Sequence, residues 1–155
     1  MYAIKRINKE VNELIHYYNL SFNNYNERDY NDKRFQIEVY LNSNITIRFI
    51  LNKTYPFSPP DIFINDKKYY LFVIDLPVDI QDYFKHRSNH QCLCCYSITC
   101  GNKWLPNYNL KYIINEIKHI QRIILNYYQK TLVNKLCDKK NIIDMNILIQ
   151  QFIGI

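Results

Sequence analysis

The densest reactive group in the chain is Cys92-Leu93-Cys94-Cys95, followed by Cys100 and then by Trp104-Leu105-Pro106. A thiolate is both a nucleophile and a soft metal ligand, so two chemistries are open to this run. With His86 or His90, the cysteines at 92, 94, 95 and 100 would supply enough ligands for tetrahedral zinc. Zinc sites usually present two separated ligand pairs, however, and adjacent Cys94 and Cys95 rarely reach one ion, so no metal is expected. Some of these thiols are expected simply to pack as small hydrophobes, as is Cys137, which stands alone in a helical stretch. Nucleophilic chemistry, the other use of a thiolate, would need one exposed thiol that can deprotonate.

Other chemistry has little support. His16 and His119 fall in helical stretches with no carboxylate or nucleophile spaced to work with them, which is the pattern of an ordinary surface or core histidine. No Gly-rich phosphate loop and no HExxH motif occurs, and no cofactor is expected. The formal charge of +6 permits an acidic partner. Its Lys and Arg residues are scattered among acids rather than interleaved with aromatics, so nucleic-acid binding is not expected. The opening residues alternate apolar and charged groups, and no apolar run reaches membrane-spanning length, so a soluble intracellular protein without membrane contact is expected. The five cysteines are an odd number and four of them crowd between Cys92 and Cys100, so reduced thiols are expected rather than loop-closing disulfides.

A reactive thiol must be held by a frame, and 155 residues with 48% hydrophobic side chains are enough for one domain with its own core. Ile4, Ile7, Val11 and Leu14 recur at helical spacing, which predicts an amphipathic helix from residue 2 to about 18. Phe35, Ile37, Val39 and Leu41 alternate with polar positions, and Ile45, Ile47, Phe49 and Leu51 repeat the pattern after Asn42-Ser43-Asn44, so the two runs form a hairpin with one buried face. Asp61–Ile64 reads as a further strand turned by Asn65-Asp66 toward Lys67 to Tyr70, and Ser21–Tyr25 as a short edge strand. Tyr55-Pro56-Phe57-Ser58-Pro59-Pro60 cannot continue a ladder, because proline lacks the N–H donor, and so makes a rigid corner with Tyr55-Pro56 a candidate cis bond. Ile80, Tyr83 and Phe84 predict a short helix before the cysteines, with Pro77 in its first turn. After Trp104-Leu105-Pro106, the positions Leu110, Ile113, Ile114, Ile117, Ile120 and Ile124 predict a long helix that Asn107 or Asn109 can cap. A last helix spans roughly 142 to 152. The fold class is therefore α+β: one domain over 1–155, with an N-terminal helix, an antiparallel meander of about four strands, a cysteine loop and C-terminal helices.

Three pieces in this order resemble one family. Ile4-Lys5-Arg6-Ile7-Asn8-Lys9-Glu10-Val11-Asn12-Glu13-Leu14 is similar to the KRIxKExxxL opening helix of ubiquitin-conjugating (E2) enzymes, and Ile45 through Pro60 resembles that family's strand followed by YPxxPP. The third piece is Cys92-Leu93 ahead of Trp104-Leu105-Pro106 and a helix, which is similar to the family's thioester cysteine, usually followed by leucine, ahead of WxP. The resemblance implies a compact UBC-like fold of the divergent kind that large DNA viruses carry. It implies that an E1 activating enzyme passes ubiquitin or a ubiquitin-like modifier to a cysteine, from which a lysine amine, usually brought by an E3 ligase, takes it. Cys92 matches the Cys-Leu pair; Cys95 matches the family's separation from the tryptophan better but is followed by Tyr96. The family's His-Pro-Asn triplet has no clean counterpart, and Asn89 of His86-Arg87-Ser88-Asn89, or else Asn102, stands nearest to its asparagine. By the same resemblance the basic face of Lys5, Arg6 and Lys9 meets the activating enzyme, while Phe57 and Pro106 meet ligases. The competing expectation is a non-catalytic UBC-fold adaptor that binds ubiquitin or its enzymes without forming a thioester.

Overall fold

The computed structural model describes residues 2–25, 34–69, 75–88, 96–101 and 103–137. In chain order these form helix α1 (Tyr2–Ile15), strands β1 (Asn19–Tyr25), β2 (Arg34–Asn42), β3 (Ile45–Leu51), β4 (Asp61–Ile64) and β5 (Lys67–Lys68), then α2 (Val78–Ser88) and α3 (Leu110–Cys137). The strands pair with their sequence neighbours in one antiparallel sheet of order β1-β2-β3-β4-β5. The α+β class is as expected. The helix placed at about 142 to 152 lies outside the described residues.

Alternation decides which face of the sheet is buried. Ile37 pairs with Phe49, Val39 with Ile47, Phe49 with Ile62 and Ile47 with Ile64, and all of these are buried. The other face carries Glu38 opposite Arg48, and Arg48 opposite Phe63, with the guanidinium 4.9 Å from the Phe63 ring centre. Among the described residues the meander has five strands, against the expected four or so. Asn65 and Asp66 both adopt left-handed backbone (φ 46° and 66°), the geometry that closes a two-residue hairpin, and so Lys67 and Lys68 return along β4. The edge strand begins two residues earlier than Ser21, at Asn19.

The buried face of the sheet, Ile7, Val11 and Leu14 of α1, Ile80 and Phe84 of α2, and the Ile113–Ile124 stripe of α3 make one hydrophobic core. Isoleucine is a mediocre helix former, costing up to roughly 0.7 kcal/mol per residue relative to alanine. Burying the same side chain is worth about 1.5–3 kcal/mol, so packing overrides propensity in α3. Helix α1 ends at Ile15, three residues short of 18, and the amides of Tyr17 and Tyr18 close its last turn on the Leu14 carbonyl, at 2.9 and 3.0 Å. At the start of α3, Asn109 Oδ1 accepts the amide of Tyr112 at 3.1 Å, which makes Asn109 the cap. Pro77 immediately precedes α2, and its carbonyl accepts the amides of Ile80 and Gln81. Among the described residues no helix is long and apolar enough to cross a membrane.

Candidate functional site

The proline corner after β3 is tied to itself first. Asn52 Oδ1 accepts the amide of Thr54 at 3.0 Å and its hydroxyl at 2.6 Å, and the Thr54 carbonyl accepts the amides of Phe57 and Ser58 at 2.7 and 3.2 Å. Thr54 and Ser58 also share a hydrogen bond between their hydroxyls. The Tyr55-Pro56 bond is cis, and within the corner Tyr55 points into the core while Phe57 points out, 74% exposed.

Two bonds then fasten the corner to the rest of the chain. Trp104 Nε1 donates to the Pro56 carbonyl at 2.8 Å, and the buried indole lies against the rings of Tyr55 and Tyr108. Tyr55 Oη donates at 2.6 Å to Oε2 of Glu10, a buried carboxylate on α1. The same oxygen accepts the amide of Leu110, the first residue of α3, at 3.0 Å. Glu10 Oε1 accepts from Arg6 Nε one turn earlier, and Arg6 reaches on to the Tyr108 carbonyl at 2.9 Å. Glu10 thus ties together α1, the corner and the start of α3, and its charge is matched by three donors rather than left bare in the core. Burial, then the Glu10 charge, pushes the Tyr55 phenol well above its ordinary value, against a smaller opposing effect of Arg6.

A second carboxylate acts at the other end of the Trp104 loop. Glu116 of α3 accepts from Ser97 Oγ at 2.6 Å and Tyr69 Oη at 2.9 Å through Oε1, and from the Ile98 amide at 2.7 Å through Oε2. The turn continues through backbone bonds from Cys100 to Ser97, and from Lys103 and Trp104 to Cys100. Tyr96, one residue earlier, sets its ring 4.5 Å from that of Phe84 on α2. Burial, then the neighbouring Glu116 charge, holds the Tyr69 phenol well above its ordinary value.

The expected surface residues divide. Lys5 and Lys9 are exposed along α1, Phe57 projects from the corner, and Pro106 is exposed beside Leu105. The Trp104–Pro56 bond brings the segments of Phe57 and Pro106 together. Arg6 does not lie with the lysines as open basic surface, because Glu10 and the Tyr108 carbonyl engage its guanidinium. Asn89, Cys92 and Cys95, with Cys94, His90 and Asn102, lie outside the described residues. Cys100 is a part-buried thiol outside any disulfide, and His86 is exposed. Among the described residues no three His, Cys, Asp or Glu side chains gather where they could hold a metal ion.

Glu10 and Glu116 were not singled out from sequence, yet each carried a signal. Glu10 follows Ile7 by three residues, and Glu116 follows Ile113 by three and precedes Ile120 by four, so both carboxylates fall on the apolar stripe of their helix. A charge at that spacing has to find donors inside. Searches against family models, curated proteins and solved structures found no match to this chain.

Proposed function

We propose that the chain is an E2-type enzyme of UBC-like fold, which accepts ubiquitin or a ubiquitin-like modifier on Cys92 or Cys95 and passes it to a lysine amine. The observation that carries this reading is the Trp104 indole donating to the Pro56 carbonyl. It joins the two segments whose sequences resemble the family, Tyr55–Pro60 and Trp104–Pro106, and leaves Phe57 and Pro106 exposed on adjoining loops. In the first step the thiolate attacks the thioester carbonyl of the loaded activating enzyme; a new S–C bond forms, and the activating enzyme's sulfur departs as a thiolate. In the second step a lysine amine attacks the same carbonyl, an amide forms, the chain's thiolate leaves and the amine proton passes to solvent. Lys5 and Lys9 offer the activating enzyme a basic face, and Phe57 with Pro106 offers a ligase an apolar one.

The test is incubation with an activating enzyme, ATP and ubiquitin. The expected result is an adduct that reductant removes, and Cys92→Lys should replace it with a stable isopeptide. Loss of the adduct in Cys95→Ala but not in Cys92→Ala would assign the nucleophile to Cys95. A wild-type chain that charges with no modifier defeats the enzymatic reading, and if it still binds ubiquitin it is an adaptor.

A further inference from the structure

We infer that β1 is a dimerisation edge, which pairs antiparallel with β1 of a second copy of this chain. The inference does not depend on the conjugating-enzyme reading. Among the described residues the sheet has two edge strands, and they are built in opposite ways. β5 is two residues long and both are lysine, so it is too short and too charged to template a further strand. β1 has seven residues, Asn19–Tyr25, of which none is charged, proline or glycine. Its pairing with β2 runs through all seven positions without a register shift, whereas the pairing of β2 with β3 is interrupted between Tyr40 and Asn42. No bulge therefore twists this edge away from a neighbour, and alternate residues of β1 turn their backbone N–H and C=O groups outward. Leu20 is the second observation. It pairs with buried Val39 and so lies on the core side of the sheet, where it packs against the core yet is only half-buried. The hydrophobic layer thus runs out to the last strand. A two-fold axis perpendicular to the sheet would set a second β1 alongside with its core face on the same side, and the layer would continue from Leu20 across the axis. A copy of the chain fits this edge for two reasons. An uncharged strand that meets itself sets no like charges opposite one another, which Lys67 and Lys68 could not avoid. The two-fold also consumes both β1 edges and leaves only the lysine edges outside, so the assembly closes at two copies.

Ser21 lies on the open face of the sheet, opposite Glu38 of its own chain. With the axis at Ser21 or at Phe22, residue 21 of one copy stands directly or diagonally across from residue 21 of the other. The test is sedimentation equilibrium of the full chain over a range of concentrations, at about 0.15 M salt to screen the repulsion between two basic chains. Wild type should move from 18.9 kDa toward twice that mass as its concentration rises. Ser21→Lys and Ser21→Glu each set like charges across the axis and should raise the dissociation constant at least about tenfold. An equimolar mixture of the two variants should recover the dimer, since the charges then face their opposites. A dimer built on another surface gives no such recovery. A wild type that stays at 18.9 kDa up to its limit of solubility overturns the inference, as does a dimer that Ser21→Lys leaves unchanged or a mixture that does not recover. If Ser21→Glu fails to fold, because it also faces Glu38, amide hydrogen exchange of wild type decides. Slower exchange in β1 at high than at low concentration, with Lys67 and Lys68 unchanged, supports the pairing; equal exchange in β1 at both concentrations overturns it.

Discussion

The hydroxyl of Tyr55 donates to the buried carboxylate of Glu10 at 2.6 Å across 45 residues of sequence, and the oxygen that accepts it also takes the amide that begins α3. Three elements therefore depend on one side chain. Glu10→Ala removes the acceptor from Tyr55, Leu110 and Arg6 together, and breaking a buried, hydrogen-bonded charge pair in this way costs about 3–5 kcal/mol. For a chain of this size that lowers the melting temperature by roughly 6–20 °C. Glu10→Gln should lose less, since it keeps one acceptor oxygen and the same shape. A melting temperature within a degree or two of wild type for Glu10→Ala would show that the joint adds little.

Alkali should attack both carboxylate joints, through Tyr55 on Glu10 and Tyr69 on Glu116. In the unfolded chain Tyr55 and Tyr69 ionise near the ordinary value of 10.0, whereas in the folded chain burial and a neighbouring carboxylate keep both protonated to higher pH. Above pH 10 the folded state then holds more protons than the unfolded one, so stability falls as pH rises; below 10 the contribution is complete and flat. Titration followed by tyrosinate absorbance should show these two phenols, among 15 tyrosines, ionising only as the protein unfolds. Tyr55→Phe and Tyr69→Phe should each make the alkaline loss of stability shallower. Full tyrosinate formation near pH 10 with the fold intact would contradict this.

The parts of the fold that could be read in advance are those whose cause is local. The Ile7, Val11, Leu14 stripe, the two alternating runs of the hairpin and a cap at Asn107 or Asn109, of which the structure uses Asn109, are each set by residues within a few positions of one another, and apart from the end of α1 these elements stand where their patterns put them. The two carboxylate joints have a different cause. Glu10 meets the Leu110 amide from 100 positions away, and Tyr69 meets Glu116 from 47. No window of sequence contains both partners. Arg6 shows the boundary: its spacing to Glu10 is visible as i, i+4, but only the Tyr108 carbonyl, 102 positions on, turns that pair inward and takes Arg6 out of the basic surface. The end of α1 at Ile15 leaves room for the chain to turn into β1 at Asn19, which helical periodicity does not register.

Phe57 offers a clean separation of docking from stability. Its ring is 74% exposed, so truncation removes little packing, and substitutions of this kind usually shift stability by no more than about 0.5 kcal/mol. The corner that bears it is rigid, and an aromatic on a rigid support loses little freedom on binding. Phe57→Ala should therefore leave the melting temperature unchanged and lower ligase-dependent transfer by at least about tenfold, the level of a hot-spot side chain. Transfer to free lysine without a ligase should continue at the wild-type rate. A fall of several degrees in melting temperature would make Phe57 structural; unchanged ligase-dependent transfer would remove it from the interface.

The three basic residues of α1 should behave as two classes. Lys5 and Lys9 are exposed, while Arg6 is bonded to Glu10 and to the Tyr108 carbonyl. Lys5→Glu with Lys9→Glu reverses the local field without disturbing a buried group. Electrostatic steering of this kind changes association rates by roughly 10-fold or more at low salt, so charging by the activating enzyme should slow by about that factor. The deficit should shrink as ionic strength rises and the Debye length falls below about 10 Å. Melting temperature should not move. Arg6→Ala should do the reverse: it removes a charged donor from a buried carboxylate, costs about 1.5–3 kcal/mol, and lowers the melting temperature by roughly 3–12 °C. Its effect on charging, measured well below that temperature, should show no salt dependence beyond that of wild type. If the double lysine variant charges normally at low salt, the basic face of α1 is solvated surface and not a docking site; if Arg6→Ala is as stable as wild type, the latch to Tyr108 holds nothing in place.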